Sequence, residues 1–554
     1  MANYQDLANL IFPEITDTVE DLERRYPSRN LPEGAMVTRF APSPTGFLHT
    51  GSLFTSLVSN RFAKQSGGVF YIRLEDTDTK REIQGSGESL IKQLAVFDVI
   101  PDEGYISDSE EKGLYGPYKQ SQRADIYKTV IKYLISVNRA YPCFATPEEL
   151  NELRAEQEAN KEIPGYYGKY AKYRNLTVDE YIEKINSGVP YILRFKSLGD
   201  HNNKVAVHDE IRGDLELTEN DQDIVILKSD GLPTYHFAHL VDDHFMHTTH
   251  VTRGEEWLPS LPIHLELFDT MGWERPKYAH LPVIMKVENG NRRKLSKRKD
   301  EEAAVSYFLS QGYPKYGFIE YLLTIANSNY EGWRNENLDK DFYDFKLSFD
   351  HMSLDGALFD IAKVANISKE RMAYRKAVDL IEEVKTWAKE YDPKFYDYII
   401  NDEEYFLSIL NIERNKEKPR KDYAKYSDIF PIVSFFYDEE YNQIDKTNLE
   451  WNPAMAKEDI KAVLLDYATN MDLTLDEENW FNSIKELAVR HGFADNVKVW
   501  KKNKEAYKGH VGDVSEFLRI ALSGRKNSPN LYYVIQILGE DKVKERIEAT
   551  VSNL

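Results

Sequence analysis

Between Met36 and Glu75 the chain runs as apolar strand, stiff loop, helix and second apolar strand, and that order leaves few folds open to it. MVTRF, from Met36, is a short apolar run of the kind a buried strand needs, and the turn-rich APSPTG follows it. Helical spacing holds from Gly51 to about Gln65, and VFYIRLE, Val69 to Glu75, reads as the second strand. Strand, helix, strand in one short stretch is a βαβ unit, which predicts a parallel sheet with a right-handed crossover. An open α/β sheet binds ligands beyond the carboxyl ends of its strands. Two such ends fall at Arg39 to Leu48 and at Glu75 to Asp78.

At 554 residues the chain exceeds what one core supports, so several domains are expected. From about Tyr118 to Asp221 charged helical stretches such as TPEELNELRAEQEANKE surround a strand-like YILRFK, which suggests an insertion between two halves of the sheet domain. DIVILK then returns to a buried-strand pattern and turns at SDGLP. From about Ile361 onward, apolar residues at helical spacing predict an all-helical tail, as in DYIINDEEYFLSIL. No segment approaches the ~18 apolar residues that would span a bilayer. The N-terminus carries no basic leader, so a cytoplasmic protein with no membrane partner is expected.

Charge narrows the function classes. A net charge of -21 argues against a protein that coats nucleic acid indiscriminately, since such binding depends on neutralising phosphates. The distribution is uneven, however, for Asn291 to Lys299 holds six basic residues among nine. From charge alone that run reads as a solvated loop. Cys143 is the single cysteine, which excludes an intramolecular disulfide and any zinc site built on two thiolates.

The loop after the first strand carries the most chemistry. Thr38 to Ser52 reads TRFAPSPTGFLHTGS, in which two prolines fix the backbone and Gly46 frees it. His49 and Gly51 open the next helix, placing a donor side chain and free backbone N–H groups where an anion can sit. This string resembles the catalytic signature of the class I aminoacyl-tRNA synthetases, with His49-Thr50-Gly51-Ser52 in place of their "HIGH" element. RFAPSPTG followed by Leu48-His49 is similar to the glutamyl branch in particular, whereas the glutaminyl branch has PPEPNG there. The family's second element, a lysine-rich loop, corresponds to Lys294-Leu295-Ser296-Lys297-Arg298. Glu75-Asp76-Thr77-Asp78, Gly116-Pro117-Tyr118, Ser229 to His236, Val241 to His244 and Arg253 to Trp257 resemble further family blocks in the family's order.

The resemblance implies a Rossmann-like α/β catalytic domain with a parallel sheet, an inserted acceptor-binding α/β domain and an all-α anticodon-binding tail. The expected divisions are an N-terminal extension at 1–35, catalytic halves at 36–117 and 222–289, the insertion at 118–221, the lysine-rich loop with a stem-contact domain at 290–360, and the tail at 361–554. It implies ATP-dependent attachment of L-glutamate to tRNA(Glu) through glutamyl-adenylate, by a monomer, with the first step waiting for tRNA. His49, Lys294 and Lys297 are the expected catalytic residues, and His49, Gly51, Ser52, Glu256, Lys294, Ser296 and Lys297 the ATP-binding set. Arg39, Ala41, Ser43, Glu75, Tyr235 and Arg253 are the expected glutamate pocket. The chemistry agrees: two carboxylates and one ammonium call for two guanidinium groups and one anion, which Arg39, Arg253 and Glu75 supply.

Many family members hold a zinc knuckle beginning Cys-x-Cys near this chain's Cys143. Here Ala145 takes the second position and no partner thiol exists, so the cofactors expected are ATP and magnesium, without zinc. Ser52 replaces the last histidine of the general element, a change common in this branch. Two other readings fit parts of the chain. One is an enzyme that glutamylates a modified tRNA base, which would match only the catalytic half; the other is a catalytically silent RNA-binding or scaffolding protein.

Overall fold

Two short helices precede the expected βαβ unit, α1 at Tyr4–Ile11 and α2 at Val19–Arg25, each opened by a capping box from Asn3 and Thr18 respectively. The computed structural model describes residues 2–78, 83–296 and 298–554. Strand β1, Val37–Phe40, leads through the proline loop into helix α3, Thr50–Gln65, and β2, Val69–Ile72, returns parallel to β1 with Arg39 opposite Tyr71. Leu53, Phe54, Leu57, Val58 and Phe62 are all buried on α3, and Phe70, Tyr71 and Ile72 are fully buried on β2. A strand covered on both faces reads as an uninterrupted apolar run, which explains the VFYI pattern.

Helix α4, Ser86–Val96, crosses to β3, Glu103–Ser107, which pairs parallel to β2, and β4, Glu110–Lys112, folds back antiparallel. After α5, Ala124–Ser136, come β5, Ala140–Cys143, α6, Pro147–Ala159, α7, Val178–Asn186, and β6, Ile192–Phe195. A hairpin of β7, Lys204–Asp209, and β8, Gly213–Thr218, precedes β9, Val225–Leu227. Helix α8, Tyr235–Phe245, β10, His250–Gly254, α9, Leu261–Met271, and β11, Lys277–Leu281, make a second crossover with Arg253 opposite His280. The two parallel halves meet where Thr249 donates its backbone N–H to the carbonyl of Val37 at 3.0 Å.

The strands assign themselves to sheets differently from the sequence pattern in two places. β9, the DIVILK strand at the head of the expected second catalytic half, pairs antiparallel with β6 in a sheet ordered β5-β6-β9. β7, inside the expected insertion, instead joins β11. A buried run of three residues shows that a strand is covered but not which neighbour covers it, and pairing between distant strands leaves no local mark.

The hairpin of β12, Ile284–Glu288, and β13, Asn291–Lys294, turns at Asn289-Gly290, both with positive φ (51° and 81°), the conformation an Asn-Gly turn suits. These elements belong to one compact unit, Met1–Tyr307 with Ile319–Asp360; Phe308–Phe318 with Ile361–Leu554 form the other. The second unit is helical, as the spacing predicts, with a core of Leu380, Val384, Ile460, Val463, Ile484, Phe517 and Ile535 among others. DYIINDEEYFLSIL is two helices, Pro393–Asn401 and Glu403–Leu410; Asp402 restarts the second by accepting the Tyr405 N–H at 3.0 Å. Among the described residues no helix is long and apolar enough to cross a membrane.

Candidate active site

The carboxyl ends of β1 and β10, the loop after β2, the start of α3 and the end of β13 surround one cavity of about 1340 Å³. Arg39, Ala41, Ser43, His49, Gly51, Ser52, Glu75, Tyr235, Arg253, Glu256 and Lys294 all line it. Of the remaining expected residues, Ser296 does not line it, and Lys297 lies outside the described residues.

The loop from Ala41 to Leu48 delivers His49 to the N-cap of α3, with Gly46 at φ 125° allowing the reversal. His49 Nδ1 accepts the backbone N–H of Gly51 at 2.9 Å, so the neutral ring carries its proton on Nε2, a donor suited to phosphate oxygen. A Cβ on residue 51 would stand 3.1 Å from that Nδ1, tighter than the cap tolerates without moving the ring. The lysine-rich segment is fastened to the same place: Val305 N–H donates to Leu48 O at 3.1 Å, and Thr50 Oγ1 donates to Glu302 O at 2.9 Å. Buried Asp300 receives Arg293 through both Nη atoms (2.6 and 2.8 Å), Lys286 Nζ (3.1 Å) and Ser296 N–H (2.9 Å), and these cations hold its carboxyl well below the usual range. Lys294 Nζ reaches Glu256 at 2.9 Å in a largely exposed pair, which costs little to break.

The two arginines are held by opposite means. Arg39 lies in an anionic setting: its Nε donates to Asp243 at 3.3 Å, and Asp243 also takes Arg73 Nη1 at 2.7 Å and His239 Nδ1 at 2.9 Å. Burial opposes charge on Asp243, but the two guanidinium groups outweigh it and keep the carboxyl ionised. Arg253 is held by neutral imidazoles. Its Nε donates to His280 Nε2 at 3.0 Å, and its Nη1 meets His264 Nδ1 at 3.2 Å. His280 donates its Nδ1–H to Asp209 (2.6 Å), and His264 donates its Nε2–H to His236 Nδ1 (3.0 Å). Burial, reinforced by Arg253, pushes His236 down to about 4 and His264 well below its ordinary value, so neither competes as a cation. Arg253 Nη2 is buried and, among the described residues, has no hydrogen-bond partner, which leaves one strong donor for a bound anion.

Glu75 is the counter-charge. It is buried, accepts from Arg73 Nη2 at 3.1 Å, and burial raises its pKa to about 7 against the opposing pull of Arg73 and Arg39. Tyr235 packs on Trp257 with ring centroids 4.2 Å apart and planes tilted by 31°, forming an aromatic wall. Sequence reasoning singled out the groups that face the cavity and missed those behind them, namely Arg73, Asp209, His239, Asp243, His264 and His280. Asp243 lies in the Val241 to His244 block; Arg73 follows β2 directly, and Asp209, His239, His264 and His280 lie in strands or helices with no local motif around them.

The family model described as tRNA synthetases class I (E and Q), catalytic domain, matches residues 35–342, and the anticodon binding domain model matches 379–551. A glutamate–tRNA ligase of Clostridium perfringens strain 13 is 48% identical over 545 residues, 98% of this chain and 100% of the relative. One from Acetivibrio thermocellus is 46% identical over 547 residues, 99% of each chain. Among solved structures, a glutamate tRNA ligase from Elizabethkingia meningosepticum in complex with its amino acid has a TM-score of 0.74 at 29% identity, covering 93% of this chain and 99% of that one.

Proposed function

The chain belongs to the class I tRNA synthetases of the glutamate and glutamine type, and from that premise we propose how its cavity joins glutamate to tRNA. The chain attaches glutamate to tRNA in translation, using ATP. The near-full-length match, tail included, separates it from an enzyme that shares only the catalytic half.

The observation that carries the residue-level reading is the meeting of Arg39, Glu75 and the unmatched Nη2 of Arg253 in one cavity. Glutamate brings two carboxylates and an ammonium. Arg39 takes the side-chain carboxylate, Arg253 the main-chain one and Glu75 the ammonium, with Ser43, Tyr235 and the Ala41 backbone adding hydrogen bonds. In the first step a main-chain carboxylate oxygen attacks the α-phosphorus of ATP, the bond to the β-phosphate oxygen breaks, and pyrophosphate leaves with that electron pair. Positioning and charge stabilisation are what such a displacement needs. His49, Lys294 and Lys297 supply both, with Gly51, Ser52, Ser296 and Glu256 completing the nucleotide site. Magnesium would arrive on the ATP phosphates and offset their charge, with Glu256 a carboxylate of the right hardness beside them. In the second step a ribose hydroxyl of the terminal adenosine of tRNA(Glu), the 2′-hydroxyl by class I habit, attacks the carbonyl carbon and AMP leaves. The inserted segment holds the acceptor end, and the helical unit reads anticodon bases, which are single-stranded and open to stacking. The protein acts as a monomer in the cytoplasm. The test is transfer of labelled glutamate, with ATP and tRNA, into acid-precipitable RNA.

Two further outcomes follow from the site. The kcat/KM for glutamate is expected to fall about tenfold for each pH unit below 7, because protonated Glu75 cannot hold an ammonium. The carboxyl is raised from 4.5, so activity is present above about 7 and lost below it. A bound ammonium favours the ionised form, so the matching fall in kcat should sit at lower pH. Profiles that coincide, or that bend near 4.5, would remove Glu75 from the role. Separately, Cys143 is fully buried on β5 and Ala145 cannot ligate metal, so elemental analysis should find no stoichiometric zinc. Chelator treatment followed by magnesium should restore full activity; one tightly held zinc per chain would refute this.

A further inference from the structure

The segment ahead of β1 is bound to the two stretches of chain that supply the buried charges behind the glutamate pocket. Arg29, with its side chain 7% exposed, forks onto Glu103 (2.9 and 3.0 Å), lies 3.9 Å over the ring of Tyr115, and donates from Nε to the carbonyl of Met246 at 3.1 Å. Tyr26 is buried; its hydroxyl donates to Gly116 O at 2.9 Å, and its ring lies 5.9 Å from the Arg123 guanidinium carbon. Its carbonyl accepts from His247 Nε2 at 2.8 Å, and Tyr115 hydroxyl donates to Pro27 O at 3.0 Å. Tyr26 and Arg29 therefore grip both the end of α8 and the loop at 115–118.

Each gripped stretch leads directly to the pocket. Asp242 and Asp243 lie on α8 shortly before Met246. The loop continues to Gln120 and Arg123, which bind Asp242 at 2.9 and 2.6 Å, while Tyr127 hydroxyl donates to it at 2.9 Å. Tyr118 connects the layers: its hydroxyl donates to Glu103 at 2.9 Å, and its carbonyl accepts the N–H of Leu74, next to Glu75, at 2.8 Å. Arg73 then ties Asp242 (3.5 Å), Asp243 (2.7 Å) and Glu75 (3.1 Å) together, and Asp243 holds Arg39. Paired buried charges tolerate little displacement, since each loses part of its compensation when a partner moves and water cannot replace it.

We propose that Tyr26 and Arg29 are positioning residues for glutamate recognition, the extension at 1–35 serving as a clamp that sets the register of α8 against the 115–118 loop and so the places of Arg39 and Glu75. This rests on the assignment of the cavity to glutamate. Tyr26 and Arg29 bond to the end of α8, to Glu103 and to the 115–118 loop, the stretches that lead to Arg39 and Glu75, so their loss should be felt by glutamate more than by ATP.

The experiment is steady-state aminoacylation by the full chain carrying Arg29→Met, which keeps most of the apolar stem and removes the fork onto Glu103 and the bond to Met246. The KM for glutamate is expected to rise on the order of tenfold, a displacement of well under an ångström sufficing for that, with the KM values for ATP and tRNA unchanged. Arg29→Lys, which retains a single ion pair, should recover part of the loss. A lowered Tm with the glutamate KM unchanged, or three KM values rising together, would overturn the proposal. Should Arg29→Met not fold, Tyr26→Phe, which removes only the extension's hydroxyl bond to Gly116 O, decides by the same criteria. Glu75→Gln run alongside separates the two failures: if it leaves glutamate KM unchanged the pocket assignment is wrong, and if it raises that KM while the clamp variants do not, only the clamp is wrong.

Discussion

Lys294→Ala and Lys297→Ala are each expected to slow glutamyl-adenylate formation by about a hundredfold or more while leaving glutamate affinity near its original value. The charge of each lysine matters mainly as negative charge gathers on the departing pyrophosphate, so its loss falls on the transition state. Lys294 already stands at the cavity, 2.9 Å from Glu256 in an exposed pair that a phosphate can displace. Close to Lys294, Asp300 receives Ser296 N–H, and beyond the segment Val305 bonds to Leu48 next to His49. A donor already at the cavity, as Lys294 is, needs little reorganisation when charge develops. Single-turnover kinetics with saturating tRNA measure the step. An unchanged rate with weakened glutamate binding would move the lysines out of the nucleotide site.

The parts of this site that could be read from the sequence are the parts with local causes. A strand ending in Arg39, a proline-fixed loop and a helix opened by His49 follow from neighbouring residues, and the structure forms them within a residue or two of where the pattern puts them. The lysine-rich segment and His49 are about 250 residues apart, and only their resemblance to one family's elements predicted that they meet. What the pattern could not reach is the layer behind the pocket. His264, His280 and Asp209 lie on α9, β11 and β7, and their convergence on Arg253 depends on β7 crossing to pair with β11. A pairing of that range leaves no periodicity in the sequence. The N-terminal extension was equally silent: its polar groups look like surface, yet Leu7, Ala8 and Leu22 are fully buried and Tyr26 and Arg29 face inward.

Arg39→Gln is expected to narrow the preference for glutamate over glutamine by lowering activation of glutamate while leaving glutamine comparatively unaffected. The two amino acids differ by a carboxylate against a neutral amide, and a guanidinium facing the amide must oppose one donor with an NH₂ group. An unmet donor in a buried pocket costs about 1–3 kcal/mol, more when charged. Arg39 is buried at 4% exposure beside Asp243, so water cannot make up the missing bond. Arg253→Gln should act differently, depressing both amino acids together, because the main-chain carboxylate is common to them. Removing one partner of a buried, hydrogen-bonded charge pair costs roughly 2–5 kcal/mol in either case, so it is the glutamate-to-glutamine ratio, not the size of the loss, that tells the two arginines apart. Activation of both amino acids in the presence of tRNA reports the ratio. If Arg39→Gln keeps the ratio and Arg253→Gln collapses it, the two arginines exchange roles.

ATP–pyrophosphate exchange tests most directly whether this cavity activates glutamate with ATP for transfer to tRNA. The reaction is run with labelled pyrophosphate, with and without glutamate and with and without tRNA. Label is expected to enter ATP when glutamate and tRNA are both present, and to stay at background when either is omitted. Background exchange with every component present, or exchange that persists without glutamate, would contradict the account.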